Sequence, residues 1–185
     1  LYVLYRLADT RTIDLSERVT LSWSNRVPGS GVLQHMDQGL QPTLRDLAEL
    51  MIIVSDNWAT DLLWNRMTKP AVDTTLAELG LTQTSLPMTI FELFATLAGM
   101  EPSAPETTYE ALNDFLDNGE SEPDNPARVF DARNDTSSPA DMVRLLSAID
   151  AGEGLSAPSR EAILTIMKHQ NFTAIIPSRL PEGEQ

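Results

Sequence analysis

A serine, an aspartate and an asparagine stand in a row at positions 55–57, directly after an apolar stretch. The hydroxyl of Ser55 can donate and accept hydrogen bonds, and the amide of Asn57 carries both a carbonyl acceptor and an NH2 donor. Side chains of these types can bind a polar substrate and transfer protons. The same residue types also begin helices more often than others, so Ser55 and Asp56 could serve only as the cap of the next helix. The tripeptide alone leaves both interpretations open.

Two predicted helices flank the tripeptide and must position it. Before it, Thr43 opens a run that resembles a capping box. Apolar residues then recur at helical spacing, namely Leu44, Leu47, Leu50, Met51 and Val54. After it, a second helix is predicted over residues 58–67. The tripeptide is therefore expected at the junction between two packed helices.

Helical patterns dominate the rest of the chain. Further helices are predicted over residues 71–79, 90–97, 106–116 and 158–169. Another begins with Ser138 as its cap, followed by Pro139, and is stopped by Gly152 and Gly154. Apolar and polar residues alternate, as in a β-strand, only in residues 13–15 and 18–21, and these residues are expected to form a short hairpin-like excursion. The predicted fold class is mainly α, without a large sheet.

Length and charge narrow the classes of protein. The chain has 185 residues, of which 42% are hydrophobic, which predicts one well-cored domain over residues 1–185. A formal net charge of -14 repels phosphate backbones and anionic lipids, so nucleic acid and membrane partners are not expected. There is no cysteine, and the two histidines, His35 and His169, lie far apart in the sequence. We therefore expect no metal site and no cofactor.

An acidic segment interrupts the helical pattern. Residues 101–125 carry eight carboxylates and no lysine or arginine, with prolines at positions 102, 105 and 123. Like charges at this density disfavour tight burial. One apolar face is still marked by Tyr109, Leu112, Phe115 and Leu116. We expect an exposed, partly helical acidic insertion within residues 92–133.

The stretch around the tripeptide resembles class A β-lactamases in order and spacing. Residues 27–33 (VPGSGVL) look like the loop that borders the family's active site. Residues 43–47 (TLRDL) and 52–60 (IIVSDNWAT) look like the next helix, the Ser-Asp-Asn motif and the helix after it. Residues 135–139 (DTSSP) are similar to the stretch that closes the family's Ω-shaped loop, and residues 179–183 (RLPEG) to the turn before its Lys-Thr-Gly strand. Ser-Asp-Asn belongs to the motif set of that family, together with Ser-x-x-Lys and Lys-Thr-Gly.

The resemblance implies the helical domain of the β-lactamase/transpeptidase-like fold, with the sheet portion largely absent. It also implies a serine hydrolase that opens a β-lactam or a related small amide through an acyl-enzyme. In that chemistry Ser55 relays a proton from a lysine to the departing nitrogen, and Asn57 holds the substrate's side-chain amide and the lysine. Asp56 and Asp135 are then structural supports, and Trp58 is a candidate substrate platform. A parent protein outside the cytoplasm is expected on the same grounds.

The nucleophile of such an enzyme is missing from these residues. The two lysines are Lys69 and Lys168, and the residues three positions before them are Arg66 and Thr165 rather than serine. By resemblance, Leu1 follows directly after the place of Ser-x-x-Lys, and Lys-Thr-Gly would come after the last residue. We therefore expect a truncated portion of an enzyme that is inactive alone. It could self-associate through the face left bare by the missing sheet.

The glutamate that activates the deacylating water in this family has two candidates. Alignment from residue 81 places it near Ile90, with Glu92 close by, whereas counting back from Asp135 gives Glu122. Neither is followed by the expected Leu-Asn pair, and either can be an ordinary surface carboxylate. Without this glutamate, a penicillin-binding transpeptidase or carboxypeptidase is the alternative function. A non-catalytic helical domain is the third.

Overall fold

Amphipathic segments build eight α-helices in the computed structural model, which describes residues 1–130 and 133–172. The helices are α1 (Tyr2–Asp9), α2 (Leu44–Ile53), α3 (Asn57–Met67), α4 (Lys69–Glu78), α5 (Ile90–Leu97), α6 (Tyr109–Asn118), α7 (Pro139–Ala151) and α8 (Ala157–Lys168). The helices predicted from apolar spacing are present. The largest difference is at α6, which begins at Tyr109 rather than at residue 106 because Thr108 caps it.

The core lies between α1, α2, α3 and α8. α2 packs along α3 and α8, and α1 packs against the same two helices. The side chains at their centre each expose 0% of their surface and include Leu4, Leu44, Leu47, Leu63 and Ile163. Burying one such side chain stabilises the fold by about 1.5–3 kcal/mol. This packing fixes the junction between α2 and α3, which carries residues 55–57.

The predicted helix caps are present. At the start of α2, Thr43 Oγ1 accepts from the Asp46 N–H at 3.1 Å, and Asp46 Oδ2 accepts from the Thr43 N–H at 2.8 Å. Ser138 Oγ accepts from the Asp141 N–H at 3.1 Å and so begins α7. α7 ends at Gly152, whose φ is 70°. Glycine is favoured there because a Cβ is strained in the left-handed region.

The alternating segment pairs with a partner other than the one predicted. Residues 18–21 run beside residues 39–43 rather than beside residues 13–15, and the Val19 N–H donates to the Pro42 carbonyl at 3.0 Å. The predicted hairpin is therefore wrong, because the extended segment pairs with the chain that leads into α2. Apart from two isolated β-bridges, the described residues form no sheet. The prediction of a mainly α fold is confirmed.

The acidic insertion leaves the helical core and returns to it at a hydrogen-bonded base. Ser85 and Thr136 exchange both backbone hydrogen bonds, at 2.9 and 2.8 Å. Beside them, Asp141 Oδ2 accepts from the Gln83 N–H and from the Thr84 hydroxyl, each at 2.8 Å. α5 and α6 lie within the loop that this base closes. Residues 179–183, predicted as a turn before a strand, lie outside the described residues.

Candidate active site

A tight turn between α2 and α3 carries residues 55–57. α2 ends at Ile53, and the Asp56 N–H donates back to the carbonyl of Leu50 at 3.1 Å. To make this turn, Ser55 adopts left-handed backbone with a φ of 53°. As a result Ser55 is exposed, whereas Asp56 and Asn57 are 1% and 9% exposed.

Asp56 uses its carboxylate to bind three backbone N–H groups. Oδ1 accepts from the Ala59 N–H at 3.0 Å and so caps α3. Oδ2 accepts from the N–H groups of Val32 and Leu33 at 2.7 and 2.9 Å. These two belong to residues 28–33, which we call the glycine loop. One carboxylate thus begins α3 and also fastens the glycine loop to it.

Asn57 is held by the same loop. Its Nδ2 donates to the Pro28 carbonyl at 2.9 Å, and its Oδ1 accepts from the Ser30 hydroxyl at 3.1 Å. Its backbone N–H donates to the Ser30 carbonyl at 3.2 Å. A side-chain amide has two N–H donors and two acceptor lone pairs. One of each remains, so Asn57 is oriented by the loop and can still bind a further group.

The two glycines of the glycine loop stand where a side chain would collide with the motif. A Cβ on Gly29 would lie 2.6 Å from Asn57 Nδ2, and a Cβ on Gly31 would lie 2.3 Å from Asp56 Cγ. Both glycines have positive φ, 93° and 103°, which other residues rarely adopt. The missing side chains allow the loop backbone to lie directly on Asp56 and Asn57.

Ser55 is the residue of the tripeptide whose side chain is not bound by the glycine loop. Its carbonyl lies 2.6 Å from Ser30 Oγ and shares the single proton of that hydroxyl with Asn57 Oδ1. Its own hydroxyl makes no hydrogen bond to any group in residues 1–130 and 133–172. A non-glycine residue in the left-handed region costs about 1–3 kcal/mol and is kept there by its surroundings. The turn therefore presents an exposed hydroxyl that is available to another group.

A buried carboxylate lies one helical turn after Asn57. Asp61 is 5% exposed, and its two oxygens accept from the N–H groups of Ile90 and Phe91 at 2.7 and 2.9 Å. Burial raises the pKa of Asp61 to about 6, and the negative charges of Glu92 and Asp135 add to the increase, whereas the two N–H donors oppose it. The start of α5 is thus bound to α3 through one carboxylate.

Asp61 was not predicted as a site residue, although the sequence holds a signal for it. It lies four residues after Asn57 and therefore on the same face of α3. It also lies among residues of α3 that are fully or nearly buried, such as Trp58 and Leu62. A charged residue on such a buried face needs partners, and here they are backbone N–H groups.

Asp135, predicted as a structural support, lies with Asp61 rather than with the tripeptide. Its Oδ1 accepts from the Met88 N–H at 3.3 Å, and burial raises its pKa. Glu92 lies close to both carboxylates, and its Oε2 accepts from the Thr89 N–H at 2.8 Å as part of the capping box of α5. The structure thus brings Asp135 and Glu92 close to Asp61, and neither of them forms a hydrogen bond to the glycine loop or to residues 55–57.

A cavity of about 350 Å³ opens beside this acidic group, between α3, α5 and the segment before the glycine loop. Its polar wall is formed by Asp61, Asn65, Thr89 and Glu92. Neither Ser55 nor Asn57 lines it. The cavity therefore belongs to the junction of α3 and α5 and is distinct from the surface at Ser55.

Two other residues that were predicted to belong to the site, Glu122 and Trp58, lie away from the exposed hydroxyl of Ser55. Glu122 is exposed after α6, where it lines another cavity with Phe115 and Arg128. Trp58 is 0% exposed, and its Nε1 donates to Asn25 Oδ1 at 3.1 Å. The prediction that Trp58 forms a substrate platform is wrong, because its indole belongs to the core beneath the tripeptide.

The site offers a hydroxyl beside an oriented amide, which suits proton transfer and the binding of a polar substrate. Within residues 1–130 and 133–172, no group of three or more histidine, aspartate or glutamate side chains is arranged to hold a metal ion. In the same part of the chain, no helix has the length and apolarity that crossing a membrane requires.

Comparison with known sequences identifies the family to which this arrangement belongs. The sequence model of the "Beta-lactamase enzyme family" matches residues 1–185. The chain belongs to the beta-lactamase enzyme family. The resemblance predicted from the residues around Ser55 is confirmed. No curated protein sequence matches the chain significantly.

Solved structures of β-lactamases share the fold. The β-lactamase from Sphaerobacter thermophilus DSM 20745 is 28% identical with a TM-score of 0.73, over 98% of this chain and 56% of its own. A PBP-A mutant in an acyl-enzyme complex with penicillin G is 25% identical with a TM-score of 0.69, over 98% of this chain and 55% of its own. The chromosome-encoded β-lactamase of Vibrio parahaemolyticus shares the fold at 22% identity and a TM-score of 0.69, over 98% of this chain and 57% of its own.

The chain therefore spans just over half the length of these relatives. It has helices and, in its described residues, no sheet, which matches the helical domain of the β-lactamase fold. The predicted fold class, that of the helical domain of the β-lactamase fold, is confirmed.

Proposed function

We propose that this chain is the helical portion of a serine β-lactamase-like hydrolase, which opens a β-lactam or a related small amide through an acyl-enzyme. The observation that carries the proposal is the exposed hydroxyl of Ser55, held in a left-handed turn beside the oriented amide of Asn57. The β-lactamase of Sphaerobacter thermophilus and the penicillin G acyl-enzyme of PBP-A support it as relatives. By the same resemblance we propose an extracytoplasmic location for the parent protein.

In this proposal the attacking serine and its lysine belong to a part of the protein outside residues 1–185. The serine oxygen bonds to the amide carbonyl carbon and passes its proton to the lysine, the C–N bond breaks, and the departing nitrogen takes a proton. Ser55 Oγ gives its proton to that nitrogen and takes one from the lysine, so the hydroxyl is restored. Asn57 uses its remaining N–H and lone pair to hold the substrate's side-chain amide and the lysine. Asp56 acts only by holding the turn and the glycine loop.

A penicillin-binding transpeptidase or carboxypeptidase is the second candidate, and the positions of two glutamates favour it. Glu92 Oε2 accepts from the Thr89 N–H at 2.8 Å, which commits it to capping α5. Glu122 is exposed at a different cavity. Neither side chain forms a hydrogen bond to residues 55–57. Without a carboxylate to activate water, the acyl-enzyme would persist and could be transferred to another acceptor.

The chain alone is expected to hydrolyse no β-lactam above background, because it lacks the nucleophile that Ser55 would assist. Self-association of the isolated chain, through the face that a sheet would cover, stays a prediction. Light scattering at increasing concentration tests it, and a monomer throughout contradicts it.

The test of the proposed function begins with the coding sequence on both sides of the chain. Ser-x-x-Lys is expected directly before Leu1 and Lys-Thr-Gly after Gln185, and the absence of both contradicts the proposal. The complete protein is then incubated with a chromogenic cephalosporin while turnover and intact mass are measured. Rapid turnover supports a β-lactamase, and a stable mass adduct without turnover supports the penicillin-binding alternative. The absence of turnover and adduct contradicts both.

Two substitutions separate the hydroxyl of Ser55 from its backbone conformation. Ser55→Ala and Ser55→Gly both remove the hydroxyl, but only glycine adopts a φ of 53° without strain. A proton-transfer group contributes about 10²–10⁴-fold to a rate, so both variants should be acylated at least about 100-fold more slowly. Wild-type acylation of Ser55→Gly would show that the residue only shapes the turn. Ser16→Ala, at an exposed serine in another turn, is the control and should behave as wild type.

A further inference from the structure

A chain of hydrogen bonds runs from the acidic insertion to the glycine loop. The hydroxyl of Tyr109, the first residue of α6, donates to Gln34 Oε1 at 3.0 Å. Gln34 Nε2 in turn donates to the carbonyl of Gly29 and, at 3.3 Å, to that of Gly31. A single side chain therefore joins α6 to the loop that orients Asn57.

Gln34 has little freedom to turn its amide. It is 6% exposed, so its polar atoms depend on protein partners rather than on bulk water. A buried polar group that loses its partner costs about 1–3 kcal/mol. Reversal of the amide would place its NH2 against the Tyr109 hydroxyl and its oxygen against two glycine carbonyls. The donors and acceptors on its two sides therefore favour one orientation.

Arg26 holds the tyrosine ring in place. Its guanidinium carbon lies 3.9 Å from the centroid of the Tyr109 ring, and a cation over an aromatic face is attracted to it. Arg26 Nη2 also donates to the backbone carbonyl of Gln34. The direction of the Tyr109 hydroxyl is thus fixed from both α6 and the segment before the glycine loop.

The glycine loop transmits any movement to Asn57, because the two are in direct contact. The carbonyls of Pro28 and Ser30 accept from the side chain and the backbone of Asn57 at 2.9 and 3.2 Å. The backbone at Gly29 passes so close to Asn57 Nδ2 that no Cβ fits between them. A shift of this loop therefore rotates or displaces the amide of Asn57.

We propose that Tyr109 and Gln34 are positioning residues of the active site, which hold the glycine loop against Asn57 and so direct its amide toward the substrate. The identity of the substrate rests on the proposed function, whereas the contacts do not. Because Asn57 meets the side-chain amide of the substrate and not the bond that breaks, the acidic insertion tunes which substrates are bound. The insertion is then a specificity element that acts from outside the site.

The first test measures the loop itself, without a substrate. Tyr109→Phe removes only the hydroxyl and keeps the ring beneath Arg26. In the complete protein, we expect backbone hydrogen exchange at Val32, Leu33 and Asn57 to become about 2- to 10-fold faster, as the loss of one hydrogen bond predicts. Unchanged exchange at these three positions overturns the proposal, whether or not β-lactams react.

The second test compares the acylation of two penicillins, measured as kcat/KM if the protein turns over and as the rate of intact-mass adduct formation if it does not. Benzylpenicillin carries a side-chain amide that Asn57 can hold, and 6-aminopenicillanic acid has the same ring system without it. We expect Tyr109→Phe to lower the acylation rate constant for benzylpenicillin about 2- to 10-fold more than that for 6-aminopenicillanic acid, because only benzylpenicillin also loses the contact to its side-chain amide. Equal losses with both compounds indicate a general structural defect and overturn the proposal. If the wild type neither turns over nor forms an adduct with either compound, the proposed function fails and hydrogen exchange alone decides.

Two further variants serve as controls. Tyr2→Phe removes a phenol hydrogen bond of the same kind, to the Glu153 carbonyl at 2.5 Å, and should leave exchange at Val32 and Leu33 unchanged. Gln34→Glu keeps the acceptor for Tyr109 but loses the donor to the two glycine carbonyls. Its effects on exchange and on benzylpenicillin should therefore exceed those of Tyr109→Phe. A Gln34→Glu variant that matches the wild type in both measurements contradicts the proposal.

Discussion

Replacing Asp61 by asparagine measures what it costs to keep an ionised carboxylate buried between α3 and α5. Asp61 is 5% exposed, and its oxygens bind the N–H groups of Ile90 and Phe91. Burial raises its pKa from an ordinary value of 3.8 to about 6. The folded protein therefore holds the proton of Asp61 at pH values where the unfolded chain has released it.

The free energy of unfolding should consequently fall as the pH rises from about 4 to about 6. Below pH 3.8 the carboxyl is protonated in both states, and the pKa difference has no effect. Between the two pKa values only the unfolded chain is ionised, so raising the pH stabilises the unfolded state. Above the folded-state pKa both states are ionised and the full cost is present. A shift from 3.8 to about 6 corresponds to about 3 kcal/mol.

Asp61→Asn removes this titration. The amide keeps one acceptor for two N–H groups, and the unpaired N–H costs about 1–3 kcal/mol at every pH. The variant should therefore be less stable than the wild type at pH 4. At pH 7.5 the removed ionisation cost of about 3 kcal/mol offsets that loss. The difference in stability between variant and wild type should thus change by about 2–3 kcal/mol between the two pH values, in favour of the variant, because part of the cost is already present at pH 4.

Urea unfolding of the complete protein, followed by circular dichroism at 222 nm from pH 4 to pH 8, measures this difference. Asp46→Asn is the control, because hydrogen bonds from the backbone and side chain of Thr43 lower the pKa of Asp46 and give a dependence of opposite sign. A difference between Asp61→Asn and wild type that stays constant to within about 1 kcal/mol would refute the reasoning.

Two further changes test the contacts around the tripeptide by the same unfolding assay. Gly31→Ala should cost more than about 2 kcal/mol, because it combines a φ of 103° with a Cβ 2.3 Å from Asp56 Cγ. Gly39→Ala is the control for backbone strain alone, because Gly39 has a φ of 90° and a Cβ there would meet no atom within 4 Å; it should cost about 1–2 kcal/mol. If Gly31→Ala and Gly39→Ala lose the same stability, the clash with Asp56 is excluded. Asp56→Asn leaves one of three buried N–H groups without an acceptor, which should cost about 1–3 kcal/mol. An Asp56→Asn variant as stable as the wild type would show that its carboxylate is dispensable.

The helices were predictable because their signals are local. Thr43, Ser138 and Gly152 mark helix ends through contacts within a few residues, and apolar spacing marks the face between them. α6 was predicted from residue 106 on the helical pattern of residues 106–116. The structure begins it later, since Thr108 Oγ1 accepts from the Ala111 N–H at 3.2 Å.

The site was predictable only where its residues belong to sequence motifs that follow one another in the order typical of the family. The tripeptide and the glycine loop were predicted as neighbours through the family's arrangement, but the partners of Asp61 are backbone groups 29 and 30 residues away. Almost every residue carries a backbone N–H, so the sequence does not indicate which of these groups a distant carboxylate will bind. Trp58 was misassigned for the opposite reason. An aromatic residue next to a polar motif suggests exposure, yet the first turn of α3 directs it into the core.

In the glycine loop, residues 28–33, fewer positions can be substituted by directed evolution than the length of the loop suggests. Positions 29 and 31 tolerate no Cβ, so a randomised library should return glycine at both. Ser30 contacts Ser55 and Asn57 through its hydroxyl, which narrows its choice as well. Val32 is 39% exposed and contributes only its backbone N–H to Asp56. New variants of this scaffold should therefore arise by side-chain replacement at position 32 and by changes in the insertion that contacts Gln34.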